Sequence, residues 1–169
     1  SRGLGDVYKR QEWIPSMVGP RIEYVDQVLP EIYPAYAATF EPSLPEGGAE
    51  LLQLFSKSYL KLNTALAERA PWTLAHQDYR VENMLFGNAE NDEVTVIDWQ
   101  GIGRGPGVYD LAYLLGGSME TELRRENERD LVVAYHTELC SNGVEGYSLD
   151  SLWADYGFAH LIGGLATSV

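Results

Sequence analysis

The period of the apolar positions changes several times along the chain, and each change predicts an element. Between Ala49 and Arg69, Leu51, Leu54, Phe55, Leu62 and Leu66 recur at near-helical spacing, with Ser56, Lys57, Lys61 and Asn63 largely on other faces. This predicts one long amphipathic helix, stopped by Pro71. Three short apolar runs follow. Trp72–Ala75 and Met84–Phe86 read as strands, and the β-branched run Val94–Ile97 pairs back on the second of them. The turn formers of Gly87–Glu93 make that pair a small antiparallel hairpin. Ahead of these elements, Pro15, Pro20, Pro30 and Pro34 punctuate the chain and limit it to short helices, Arg21–Val28 and Glu31–Phe40. Glu41–Gly48 reads as a loop.

Beyond the hairpin, Gly101–Gly107 reads as a stiff, turn-rich connector. A short helix, Tyr109–Leu115, has Asp110 near its first turn. Ser118–Cys140 reads as a long helix with Leu131, Tyr135 and Leu139 on one stripe, stopped by Ser141-Asn142-Gly143. Ser148 caps a last helix through Leu161, whose end Gly163 and Gly164 loosen. No internal repeat is visible. The pattern is that of an α+β domain, mostly α-helical, with one small β-hairpin.

Composition narrows the class. A chain of 169 residues that is 45% hydrophobic fits one domain with a sizeable core. It holds no apolar run long enough to span a bilayer and no secretory leader pattern. Its single cysteine, Cys140, permits no internal disulfide, and a reducing cytoplasm is the expected location. The net charge of −13 argues against nucleic acid as a partner, since that binding needs cations facing phosphates. Such acidity suits a cationic small-molecule substrate, although solubility alone accounts for it. Asp6-Val7-Tyr8-Lys9-Arg10-Gln11 reads like the translation of a transposon end used in preparing sequencing libraries. Residues 1–11 are therefore set apart as a tail or adapter scar, and residues 12–169 carry the fold.

The chemistry concentrates in Ala75–Asp98. His76, Asp78 and Asn83 form the pattern H-x-D-x-x-x-x-N, and the run Val94–Ile97 ends in Asp98. Phosphoryl transfer from ATP needs one carboxylate to orient the attacking hydroxyl, and an amide plus a carboxylate to hold Mg²⁺. Asp78 is the candidate base, and Asn83 and Asp98 the candidate metal ligands. Mg²⁺ prefers few hard oxygen ligands from protein, which this pair satisfies. Taken singly, each residue reads as an ordinary turn or cap residue; together they favour the functional reading. His76 has no companion ligand pair, since His136 and His160 lie far along on predicted helices, so it is expected to fix the backbone of the loop. Gly101–Gly107 fails the dinucleotide fingerprint, with Pro106 where the last glycine belongs. Asp110 is expected to cap its helix and to hold the active-site loop by backbone hydrogen bonds.

LAHQDYRVENMLF followed by VIDWQGIGRGPGVYDLAYLL resembles the aminoglycoside phosphotransferase and choline-kinase-like group, including its ecdysteroid-kinase-like relatives. The motif-bearing match runs over Thr73–Leu115. The resemblance implies a protein-kinase-like fold and an ATP- and Mg²⁺-dependent transfer to a small-molecule hydroxyl. It places Asp78 on the catalytic Asp, Asn83 and Asp98 on the Mg²⁺ ligands, and Asp110 on a structural Asp. Two departures stand out. Gln77 replaces the usual glycine, which implies strain if φ there is positive. No Gly-rich phosphate loop or strand lysine precedes Asp78, so residues 12–169 are expected to form a C-terminal lobe that is not by itself a competent kinase. The alternatives are a metal-dependent phosphohydrolase using His76, Asp78 and Asp98, and a non-catalytic kinase-like binding module.

Overall fold

The computed structural model describes residues 14–40, 42, 44–88 and 90–166, so the proposed scar lies outside the described residues. In chain order the elements are α1 (Pro20–Phe40), α2 (Gly48–Ser56), α3 (Tyr59–Arg69), β1 (Trp72–Ala75), β2 (Met84–Asn88), β3 (Asn91–Val96), β4 (Gly103–Pro106), α4 (Val108–Ser118), α5 (Thr121–Ser141) and α6 (Leu149–Ala166). Single turns of 3₁₀ helix at Val81–Asn83 and Trp99–Gly101 flank the hairpin. The class is α+β and mostly helical, as expected.

The two short helices predicted before Phe40 are a single helix. Pro30 and Pro34 both sit inside α1 and both are exposed. Each ring removes one N–H, and the carbonyl left over faces water, so the break that a buried proline would force does not occur. Ile22 and Leu29, two turns apart, pin the inner face into the core. Tyr33 adds a tie by donating its hydroxyl to the Ala49 carbonyl at 2.7 Å.

The long helix predicted over Ala49–Arg69 divides at Lys57-Ser58. The Lys57 and Ser58 N–H groups turn back to Leu54 and Phe55 at 3.3 and 2.9 Å, closing α2 with a tight final turn. Asp26, reaching across from α1, accepts the Leu60 N–H at 2.8 Å and so caps α3 from outside. A cap supplied by a residue 34 positions earlier leaves no local signature. The break also rotates the apolar stripe. Leu52 and Phe55 are buried, whereas Leu51 and Leu54 face out. On α5, likewise, Val132 is the buried position and Leu131 is exposed.

The predicted hairpin is present, with Met84 opposite Val96 and Phe86 opposite Val94. A second antiparallel pair accompanies it. β1 aligns with β4, Trp72 opposite Pro106 and Ala75 opposite Gly103. The connector read over Gly101–Gly107 is thus partly a strand. Its glycines permit close approach: a Cβ on Gly105 would lie 2.7 Å from the Met17 Cβ. Met17 and Arg104 pair backbones there, with Met17 N–H donating to Arg104 O at 2.8 Å.

The core gathers α4, α5 and α6 around Ala112, Leu115, Val132, Leu152 and Ile162, with Phe55 and Leu66 from the preceding helices. Ser148 caps α6 as expected, accepting the Ser151 N–H at 3.1 Å. The helix does not loosen at Gly163 but runs to Ala166, because Gly163 packs against the backbone of Tyr113 on α4. Tertiary packing overrides the low helix propensity of glycine here. Buried Asp155 binds Arg69 Nε at 2.8 Å and the Tyr147 hydroxyl at 2.9 Å, tying α3, α6 and the loop before it.

Candidate active site

The site is built from the loop after β1, the β2–β3 hairpin and helix α4. His76 is 1% exposed and is fixed at three atoms. Its backbone N–H donates to Asp110 Oδ2 at 2.6 Å, and its Nε2 bonds the Ile97 carbonyl at 2.8 Å. A bond to a carbonyl requires the proton on Nε2, which leaves Nδ1 bare to accept the Asp78 N–H at 3.3 Å. Trp99 covers the ring edge-to-face, with centroids 4.8 Å apart.

Asp110 turns both carboxylate oxygens on the loop. Oδ1 accepts the Gln77 N–H at 2.9 Å while Oδ2 holds His76. It makes no side-chain cap on its own helix, and that part of the expectation is corrected. The two loop donors already engage both oxygens. Burial pushes the Asp110 carboxyl above its usual range, and the two N–H bonds oppose that rise. Gln77, between them, adopts φ 67°, the left-handed region that favours glycine. Gly101 lets the turn after Asp98 lie against this loop, since a Cβ there would stand 3.0 Å from the His76 carbonyl.

Asp78 projects from the far end of the loop with its side chain 34% exposed. Its Oδ1 accepts the Tyr113 hydroxyl at 3.2 Å and faces Arg80 Nε at 3.3 Å. Its Oδ2 accepts Asn83 Nδ2 at 3.0 Å, and the same nitrogen bonds the Asp78 carbonyl at 2.9 Å. Asn83 therefore commits only its amide nitrogen. Its Oδ1 accepts nothing from the described residues, although Asn83 as a whole is buried.

Asp98 reaches this corner through the ladder. The Ile97 N–H donates to the Asn83 carbonyl at 2.9 Å, which sets Asp98 one residue beyond Asn83's partner. Asp98 is exposed and left-handed, with φ 62°, and among the described residues its carboxylate meets Gln100 Nε2 alone, at 3.4 Å. Asp78 and Asn83 are thus in direct contact, Asp98 stands next to them by backbone register, and His76 and Asp110 lie behind. Among the described residues no three His, Cys, Asp or Glu side chains gather as a metal cage. The donor chemistry, one amide oxygen and one carboxylate on neighbouring backbone positions, does fit Mg²⁺, which takes one or two protein oxygens and completes its shell elsewhere.

His136 and His160 stay with the packing. His136 Nε2 bonds the Tyr147 carbonyl at 2.8 Å, and His160 lies on Tyr156. Three site residues escape a reading of the sequence: Arg80, Tyr113 and Ser118, whose Oγ accepts the Val81 N–H at 3.1 Å. The signal available for the last two was their spacing from Asp110 on one helix.

The ecdysteroid kinase-like family model matches residues 11–143. The chain belongs to the ecdysteroid kinase-like family. Neither the curated proteins nor the solved structures give a match. The ecdysteroid kinase-like match takes in α1 through α5 and with them every site residue from His76 to Asp110, leaving α6 outside. The family supports a kinase-like transferase. No helix among the described residues is long and apolar enough to cross a membrane.

Proposed function

We propose that this chain supplies the C-terminal lobe of an ATP- and Mg²⁺-dependent phosphotransferase that phosphorylates a small-molecule hydroxyl. The observation that carries the reading is the Asp78–Asn83 contact at 3.0 Å, with Asn83 Oδ1 accepting no hydrogen bond from the described residues. Asp78 accepts the hydrogen bond of the substrate hydroxyl and orients its oxygen toward the γ-phosphorus. As the new O–P bond forms and the bond to the departing diphosphate breaks, the hydroxyl proton passes to the Asp78 carboxylate. Asn83 Oδ1 and Asp98 would hold Mg²⁺, which supplies neutralisation of phosphate charge when bound. His76 and Asp110 act through the backbone, fixing the loop from which Asp78 projects.

One observation supports the lobe assignment. Leu74, Leu85, Phe86, Val94 and Trp99 expose apolar surface along the strands that bear the site, the kind of area a second lobe covers. A phosphohydrolase would need His76 as a metal ligand, and both of its ring nitrogens are already committed within the fold.

The test uses the parent polypeptide with its native upstream sequence. ATP consumption is measured against a panel of alcohols that includes sterols and amine-bearing sugars. Asp78→Ala should abolish most turnover and leave Mg·ATP affinity largely intact, whereas Asp98→Ala should weaken Mg·ATP binding. Equal loss of nucleotide affinity in both variants would contradict this division of roles.

A further inference from the structure

Helix α4 meets the active-site loop at successive points along one side. Asp110, in its first turn, takes the N–H groups of His76 and Gln77 at 2.6 and 2.9 Å. Tyr113, one turn on, donates to Asp78 Oδ1 at 3.2 Å. Ser118, at its end, accepts the Val81 N–H at 3.1 Å. The order of contacts along the helix matches the order of residues along the loop, so α4 acts as a template against which the loop is laid. Two of the contacts fix backbone. Only the middle one reaches the reacting carboxylate.

We propose that Tyr113 is a positioning residue for phosphoryl transfer, holding the Asp78 carboxylate through its hydroxyl in the rotamer that faces the acceptor. The inference rests on the assignment of Asp78 as base. Asn83 fixes Oδ2, and rotation about the carboxylate axis is stopped only if Oδ1 is also held. Arg80, the other group at Oδ1, is a half-exposed flexible side chain at 3.3 Å. Tyr113 stands on a helix packed into the core, and its ring has two torsions to lose where arginine has several. The phenol is therefore the rigid member of the pair. Removing the hydroxyl leaves the ring, the helix and the nucleotide ligands in place.

The experiment is a double-variant cycle in the parent polypeptide, with ATP consumption read in the presence of the best alcohol from the acceptor panel. Tyr113→Phe should lower kcat roughly tenfold, the loss expected for one positioning hydrogen bond, with KM for Mg·ATP and melting temperature unchanged. In an Asp78→Ala background the same change should have no further effect on the residual turnover, because the acceptor that the hydroxyl holds is gone. A purely structural role would give the same fold-loss in both backgrounds. A second measurement uses the present chain, labelled with [¹³Cζ]tyrosine. The Tyr113 resonance, assigned by its loss in Tyr113→Phe, should titrate at lower pH in Asp78→Asn, since the neighbouring carboxylate helps raise it. Wild-type kcat in Tyr113→Phe, equal losses in the two backgrounds, or a Tyr113 titration indifferent to Asp78→Asn would overturn the inference and leave the phosphotransfer reading standing. Full turnover in Asp78→Ala would overturn both.

Discussion

Gln77 and Gly103 are interlocked: a Cβ on Gly103 would lie 2.0 Å from Gln77 Nε2. Gln77 is held at φ 67° by the two backbone bonds around it, and its side chain lies in the space that the missing Cβ of β4 leaves. A left-handed non-glycine residue costs about 1–2 kcal/mol, part of which glycine's freedom in the unfolded chain offsets. Gln77→Gly should therefore stabilise the chain by on the order of 0.5–1 kcal/mol in urea unfolding. Gly103→Ala should destabilise it by about 1–3 kcal/mol, and by clearly less when Gln77 is also glycine. Independent, additive effects would show that the two positions do not share that space.

The match between sequence and structure was closest where contacts are local. Val94–Ile97 and Met84–Phe86 declared a hairpin by their period, and its register brings Ile97 to Asn83 and so delivers Asp98. The Asp78–Asn83 contact followed from five-residue spacing within one loop. What escaped depended on distant partners. Asp26 caps α3, and Asp26 carries no mark of that role in the sequence. β4 is Gly-Arg-Gly-Pro, with no alternation to announce a strand; it pairs with β1, and its Gly105 leaves the room that Met17 fills. Tyr113 looked like one more apolar position on a helix, because only the folded loop brings Asp78 within reach of its hydroxyl.

Asp110 should prove to be a stability residue as well as a site residue. Asp110→Ala strips the acceptor from the N–H groups of His76 and Gln77, and His76 is fully buried. Leaving two such donors unpaired costs about 2–4 kcal/mol. Hydrogen exchange should show the amides of His76 and Gln77 losing protection ahead of the β2–β3 hairpin. Asp110→Asn, which retains one acceptor oxygen, should fall between. A loss below about 0.5 kcal/mol in the alanine variant would mean that the loop is held by something other than Asp110.

His160 gives the fold a pH dependence. Burial against α4 and α5 disfavours its imidazolium, and Arg124 adds to the effect; the Ala112 carbonyl and Glu128 oppose it, and the net shift is downward from 6.5. The unfolded chain therefore binds the proton more tightly than the folded one. Between the depressed folded value and 6.5 the unfolded state carries more protons, so stability rises with pH across that window. The contribution is complete above 6.5 and is lost as pH falls toward the folded value. Urea midpoints at about pH 7 and about pH 5.5 should separate further in the wild type than in His160→Gln. Identical slopes for the two proteins would assign the acid sensitivity to other groups.

The lobe assignment makes the last prediction. In a kinase-like arrangement ATP lies between two lobes, one carrying a Gly-rich cover and a phosphate-pairing lysine, the other carrying the base and the metal ligands. Phosphoryl transfer depends on positioning and charge stabilisation, so half of the constellation gives little of the rate. The described residues ahead of Asp78 form α1, α2, α3 and β1, and none of these elements presents a Gly-rich loop or a strand lysine. On the proposed roles, Asn83 and Asp98 by themselves would hold Mg·ATP weakly. The 169-residue chain should show no Mg·ATP binding tighter than millimolar by calorimetry and no turnover. The same chain joined to a lobe that carries a Gly-rich loop and a phosphate-pairing lysine should bind in the micromolar range. Exposed Leu85, Phe86 and Val94 give a second readout, because a dye that fluoresces on apolar surface should bind the short chain and lose its signal in the longer one. Micromolar binding and turnover by the short chain alone would remove the lobe assignment, while Asp78 and Asn83 could still serve as the base and metal ligand of a smaller enzyme.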